Sequence, residues 1–337
     1  YWGRALAWTA LATLATYLMA GAVDIAALTG DDELLKAARR VWRNTTGKNI
    51  FVTGGIGPSA ANEGFTRDYD LPTHNAYQES CASIGTAMWA HRLNLLTGEA
   101  QYADAVETAL YNAIPAGVQV DGTRFFYVNP LASRGGHHRT AWFGSACCPP
   151  NLARTFASIG TYAYATGADS LYVNLFVQGT VRAAVGKEAM SLSVVTDYPL
   201  DGTIELKVTE APKAAVALNV RVPGWCTQAS ILVNSEPVTL PARPRVIVLD
   251  PGHGGPDSGT RSVLPGKWEK EYTLDLALRL KPLLEAAGWK VHLTRTNDVE
   301  MSLASRVEFA DARKADLFLG LHFNATTSPD HAGVETY

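Results

Sequence analysis

The chain has 337 residues, a formal net charge of −3, 47% hydrophobic residues and 18% charged ones. That length allows about two or three domains. The balance is globular rather than disordered, and the small negative charge excludes a broad attraction to nucleic acid.

The first residue is Tyr1, with no basic leader and cleavage site behind it. The last residues, Gly333 to Tyr337, read as a strand cut short, so the chain is expected to be an internal piece of a longer one. Ala5 to Val23 carries no charge over nearly the length of a membrane span. Its Ala, Thr and Gly content favours a buried helix, and no membrane span is expected. From Leu18 to Asn44 the apolar positions Leu34, Leu35, Ala38 and Val41 recur at helical spacing, with Asp31 as N-cap. The glycine-rich run Phe51 to Pro58 breaks the helix, and Glu63 to Tyr77 is a polar loop. Ser80 to Thr97 is helical, with Ile84, Ala87, Met88, His91 and Leu95 on one side. Gln101 to Pro115 is a further helix, and so is Asn151 to Thr166, opened by Pro149-Pro150.

After Ala168 the period falls to two. Leu171–Val177, Ser191–Val195, Thr203–Val208 and Val216–Val222 alternate as strands do, with turns at Asp201-Gly202 and Pro223-Gly224. Pro241 and Pro244 mark a joint. Beyond it come a strand (Arg245–Asp250), a helix (Glu271–Ala287) stopped by Gly288, a strand (Trp289–Arg295), a helix (Leu303–Lys314) and a strand (Asp316–His322). That alternation implies a mostly parallel α/β sheet. The expected organisation is multidomain. Residues 1–168 are a helical part whose paired helices suggest an α/α toroid, 169–240 a β-sandwich part, 241–244 a linker, and 245–337 an α/β domain.

Two groups of residues carry metal-type chemistry. Glu79 and Cys81 point to one side of an extended segment, and Cys147-Cys148 sit at a helix entrance, where the positive end favours thiolate. Three thiolates and one carboxylate suit a four-coordinate zinc. Spacing alone leaves open whether these cysteines meet or are separate buried thiols. Cys226 is the fourth cysteine. In a chain so poor in cysteine, reduced thiols are expected.

The ordered motifs Val52–Gly57, Asn62-Glu63, Glu79-Ser80-Cys81 and Cys147-Cys148-Pro149-Pro150-Asn151 resemble the β-L-arabinofuranosidase family of glycoside hydrolases (family 127), over about residues 18–238. The resemblance implies an (α/α)6 barrel followed by β-sandwich domains, and hydrolysis with retention at the anomeric carbon. It makes Cys147 the nucleophile, Glu79, Cys81, Cys147 and Cys148 the zinc ligands, and Glu63 the general acid/base. A proton donor of that kind needs a pKa raised by burial. His74, Tyr77, His137 and His138 are weaker candidates for lining a sugar pocket. The family's barrel needs about twice the helical sequence present here, and Tyr1 to Tyr17 does not match it.

In the second half, Asp250-Pro251-Gly252-His253-Gly254-Gly255 puts His253 on a glycine turn at a strand end, and His322 ends another strand. Ligands converge at such ends. Two histidines and Glu269 leave one zinc position for water. These residues, with Leu293-Thr294-Arg295, Leu303-Ala304-Ser305-Arg306 and Leu321-His322-Phe323-Asn324-Ala325, resemble the type 3 N-acetylmuramoyl-L-alanine amidases over 245–337. The resemblance implies zinc held by His253, Glu269 and His322, and peptidoglycan as substrate. Glu271 is the alternative to Glu269, which is preferred because it precedes Lys270. Arg306 is read as structural. That family's catalytic glutamate lies on a late strand, and Glu335 is not in its motif, so zinc binding with little or no amidase turnover is expected.

Three functions follow as expectations. They are a zinc-dependent glycosidase acting on an arabinofuranoside-type carbohydrate, a cell-wall amidase, and a composite chain without turnover. One zinc is expected in each half. A reduced thiol site suits the cytoplasm and an amidase suits the cell envelope, so the sequence assigns no compartment.

Overall fold

The computed structural model describes residues 11–226, 228–238, 245–261, 266–313 and 315–323. The expected linker 241–244, Tyr1, Asn324, Ala325 and Glu335 lie outside these residues. The chain divides into two compact units, Tyr1–Ala229 and Ser230–Tyr337.

The first unit opens with helix α1 (Ala12–Thr29) and helix α2 (Asp32–Lys48). The sequence pattern reads this stretch as one helix, but Gly30 splits it. Gly30 takes a left-handed φ of 69°, and its N–H closes on the Ala26 carbonyl. Asp31 then caps α2 by accepting from the Leu34 N–H at 3.0 Å. By length and composition α1 could cross a membrane, while its Ala12–Thr16–Ala20–Val23–Ala26 edge is buried.

Helix α3 (Ser80–Thr97) follows the sequence boundaries, but it is buried nearly all round rather than on the one expected side, and Leu95 of that side is exposed. It packs against α1, α4 (Ala100–Thr108) and α5 (Cys148–Ala157). Ile84, Trp89 and Leu93 meet Trp42, Val106 and Leu152 in this core. Trp42 stands edge-on to Trp89 at 4.9 Å, an arrangement worth about 1 kcal/mol beyond its area. The expected helix Gln101–Pro115 is interrupted, because α4 loosens into a π-turn at Ala109–Ala113. The glycine-rich loop lies against that turn. A Cβ on Gly54, whose φ is +84°, would meet the Ala109 backbone at 3.0 Å.

The helix expected to reach Thr166 stops at Ala157. After a 3₁₀ turn (Ile159–Tyr162), Tyr164–Thr166 is strand β1, drawn out of helix by pairing with β2 (Ser170–Val173). β6 (Ala217–Val220) completes that sheet, parallel to β2. β3 (Gly179–Val185), β4 (Glu188–Thr196) and β5 (Ile204–Glu210) form an antiparallel second sheet. β3 was not expected, because its exposed, small-residue pattern alternates weakly. Leu171, Val173, Val185, Met190 and Leu192 from both sheets share one core.

The second unit begins with a hairpin, β7 (Ile231–Val233) and β8 (Glu236–Val238). Its turn uses Asn234 and Ser235, both at positive φ. Next comes a parallel sheet in the order β10 (Trp289–Leu293), β9 (Arg245–Pro251), β11 (Leu317–Leu321). α6 (Glu269–Ala286) packs on this sheet, and α7 (Leu303–Ala312) precedes β11. Ile247 and Leu249 of the central strand pack with Ala277, Val291 and Leu293.

Candidate metal centres

In the first unit Glu79, Cys81, Cys147 and Cys148 converge, their ligand atoms all within 4.8 Å of one another. Three local features bring them together. Glu79 and Cys81 straddle the start of α3, the long loop after α2 returns at Glu79, and Cys147 caps α5. Cys81 Sγ lies 3.5 Å from Cys148 Sγ, Cys147 Sγ 3.7 Å from Cys148 Sγ, and Glu79 Oε1 3.3 Å from Cys147 Sγ. A tetrahedral ion with metal–sulfur bonds of about 2.3 Å has ligand edges of about 3.8 Å, so the donor set fits one ion. Thr13 on α1 donates to Glu79 Oε2 at 2.7 Å, which leaves Oε1 for the sulfurs.

Glu79, Cys81 and Cys148 are buried, whereas Cys147 is exposed. Although Cys147 reaches solvent, the partial burial of its sulfur pushes the thiol up to about 11. Cys148 is pushed up as well, by its hydrogen bond to Cys81 and then by burial. Cys81, held by Cys148, is lowered. Three thiols packed this closely cannot all ionise without a positive charge among them.

Glu63 sits on the same loop at φ 47°, and its carbonyl accepts from the Ala12 N–H. Its carboxylate faces the Tyr77 hydroxyl, which also faces Tyr127. Burial and then Glu63 raise the Tyr77 pKa. Tyr127 approaches Cys147 Sγ at 3.3 Å. A line Glu63–Tyr77–Tyr127–Cys147 therefore joins the two residues singled out for catalysis. Sequence reasoning missed Tyr127 and Thr13, because neither lies in a motif.

Beside this line lies a cavity of about 700 Å³, lined in part by His74, Tyr77, Arg134 and His137. His137 stacks on Phe126 at 4.5 Å, and its Nε2 meets the Val128 carbonyl at 2.8 Å. His138 is exposed and not among the lining residues.

In the second unit His253, Glu269 and His322 meet where β9 and β11 end together. Glu269 Oε1 lies 3.2 Å from His253 Nε2 and 3.2 Å from His322 Nδ1. Burial would raise the Glu269 pKa, but N–H bonds from Thr260 and Phe323, then His253, outweigh it and hold the pKa low. His253 Nδ1 meets Asp257 Oδ2 at 2.9 Å, so Nε2 is the nitrogen that faces the other two ligands. Asp257 was missed by sequence reasoning. Gly252 is needed because any Cβ there would sit 2.3 Å from the His322 ring. Arg306 binds Asp250 and the Pro251 and His253 carbonyls, while Arg295 binds those of Pro251, Gly252 and Lys270. Both are buried and clamp the turn. Glu271 points elsewhere and pairs with Lys267 at 2.7 Å.

Residues 8–161 match the model of the beta-L-arabinofuranosidase GH127 catalytic domain, and residues 170–246 that of the GH127 middle domain. Residues 247–337 match the N-acetylmuramoyl-L-alanine amidase model. A non-reducing end beta-L-arabinofuranosidase of Bifidobacterium longum is 34% identical over 238 residues, 66% of this chain and 36% of the relative. A probable cell wall amidase, LytH, of Staphylococcus epidermidis is 41% identical over 117 residues, 34% of this chain and 38% of the relative. The solved GH127 beta-L-arabinofuranosidase from Geobacillus stearothermophilus T6 superposes with a TM-score of 0.65 at 40% identity, covering 68% of this chain and 38% of that one. The chain thus spans little more than a third of the length of these relatives.

Proposed function

We propose a function from the family models that the two parts of the chain match: GH127 catalytic and middle domains over residues 8–161 and 170–246, then an amidase domain over 247–337. The first part is read as a zinc-dependent retaining β-L-arabinofuranosidase, built on part of an α/α toroid and a β-sandwich. The observation that carries this reading is the cluster of four donors in which Cys147 alone is exposed. Glu79, Cys81, Cys147 and Cys148 would hold the ion, which supplies the positive charge that keeps the Cys147 sulfur ionised and nucleophilic.

The chemistry assigned to this chain's own residues is a double displacement. Cys147 Sγ attacks the anomeric carbon as Glu63 gives its proton to the departing glycosidic oxygen. Glu63, now a carboxylate, takes a proton from water, which displaces the sulfur and restores the original anomer. Tyr127 and Tyr77 line the gap between the two residues, with the Tyr127 hydroxyl against the Cys147 sulfur and the Tyr77 hydroxyl against the Glu63 carboxylate. The test is hydrolysis of 4-nitrophenyl β-L-arabinofuranoside. Cys147→Ala is expected to remove activity, and Glu63→Gln to lower it by about 10²-fold or more. Turnover that survives Cys147→Ala would sink the assignment.

The convergence of His253, Glu269 and His322 favours a second reading, a separate zinc site directed at peptidoglycan. Release of peptide from purified cell wall, lost on His253→Ala and kept on Cys147→Ala, would support it. Wall hydrolysis equal in both variants would not.

A further inference from the structure

We infer that the cavity beside Tyr77 is the subsite for the leaving group, and that it selects a leaving group carrying a carboxylate. This rests on the glycosidase reading above. Three observations lead to it. The first is position. In a retaining glycosidase the general acid stands beside the departing oxygen, so whatever lies beyond the acid holds the leaving group. Tyr77 faces Glu63 with its hydroxyl and also forms part of the cavity wall. Tyr127, which touches Cys147, stacks obliquely on Tyr77 at 6.1 Å. The cavity is therefore on the acid's side of the reacting centre.

The second observation is size. About 700 Å³ is within the usual range for small-molecule sites and holds a sugar residue with space to spare.

The third is the character of the wall. Besides Tyr77, its polar side chains are His74, Asn75, Ser133, Arg134 and His137, and no carboxylate is among the lining residues. Neutral sugars are commonly held by paired acceptors and donors, and their hydroxyl protons would find no side-chain carboxylate here. Arg134, His74 and Asn75 make no side-chain hydrogen bond or ion pair among the described residues, so their donors are uncommitted. The loop that bears them is fixed from behind. The Ala132 N–H bonds the Thr73 carbonyl, the Asn129 N–H bonds the Tyr77 carbonyl, and His137 stacks on the Phe126 ring, over which the Arg139 guanidinium also lies at 4.4 Å. An uncommitted planar guanidinium on a residue that lines an open cavity is suited to a bidentate carboxylate.

The test is a calorimetric titration of the chain with D-galacturonate and, separately, D-galactose, at low salt. Galacturonate is expected to bind at least about tenfold tighter, the factor that one charge-assisted contact supplies. Arg134→Ala is expected to erase that preference and Arg134→Lys to keep part of it. Equal binding of the two sugars, no binding of either, or a preference that survives Arg134→Ala would overturn the inference. The same preparation is assayed on 4-nitrophenyl β-L-arabinofuranoside. Hydrolysis without acid preference defeats the subsite and leaves the glycosidase reading standing. Acid preference without hydrolysis defeats that reading, and with it the subsite's role, leaving a bare anion pocket.

Discussion

At the scale of single residues, burial decides what His91 can do. His91 on α3 lies 4.8 Å from the Tyr162 ring, and burial, then Arg92, lowers its pKa to about 4. Unfolded, a histidine takes its proton near pH 6.5. Between about pH 6.5 and 4 the unfolded chain therefore binds a proton that the folded chain refuses, and stability falls as pH falls through this window. The effect is at most about 2–3 kcal/mol, since part of the ring is reached by solvent. His91→Gln is expected to flatten the difference in urea midpoint between pH 7 and pH 4.5. An unchanged difference would place the acid sensitivity elsewhere. The candidate site follows the same logic, since Cys147 stays reachable while its three companions are sealed.

At the scale of elements, a buried ion cluster ties the strands of the first unit to its helices. Arg221, just past β6, is almost wholly buried and binds Asp104 and Glu107 of α4. Tyr198 also donates to Glu107 at 2.6 Å. Removing one partner of a buried pair leaves an uncompensated charge, which costs about 3–5 kcal/mol. Arg221→Ala is expected to lower the unfolding free energy by about that amount, read as a fall in the urea midpoint at unchanged slope. Adding Asp104→Asn and Glu107→Gln should recover part of the loss, because the stranded charges are then gone. If the triple variant is no more stable than the single one, packing rather than charge carries the joint. The clamp on the second centre is built the same way, with Arg295 and Arg306 gripping the carbonyls of one turn.

At the scale of the whole molecule, the chain presents two metal-type centres with different donors, one in each compact unit. Thiolates and imidazoles both suit zinc. Elemental analysis of the purified chain is expected to give about two zincs, with one lost on His253→Ala and the other weakened on Cys147→Ala. A chain that keeps its full zinc content in both variants would show that neither cluster is the binding site. A chain that loses both ions in either variant would show that the units do not fold separately.

Much of this was legible in residue order. α3 has the boundaries its pattern implies, Asp31 caps α2, and β9, β10 and β11 fall where the alternation of β and α places them. Those features are local: propensity, capping and periodicity act over one or two turns of chain. The motif residues could likewise be named from order alone, since Glu-x-Cys, Cys-Cys-Pro-Pro and the glycine turn around His253 are contiguous. What residue order could not supply was long-range. That Cys81 meets Cys148, and that Tyr77 and Tyr127 bridge Glu63 to Cys147, depend on segments far apart in sequence. The end of α5 and the π-turn in α4 are similar cases, because a pairing strand and a packed glycine loop override local helix preference there. Such contacts form only when packing pays the entropy of closing long loops, a cost that is not written in any single stretch of chain.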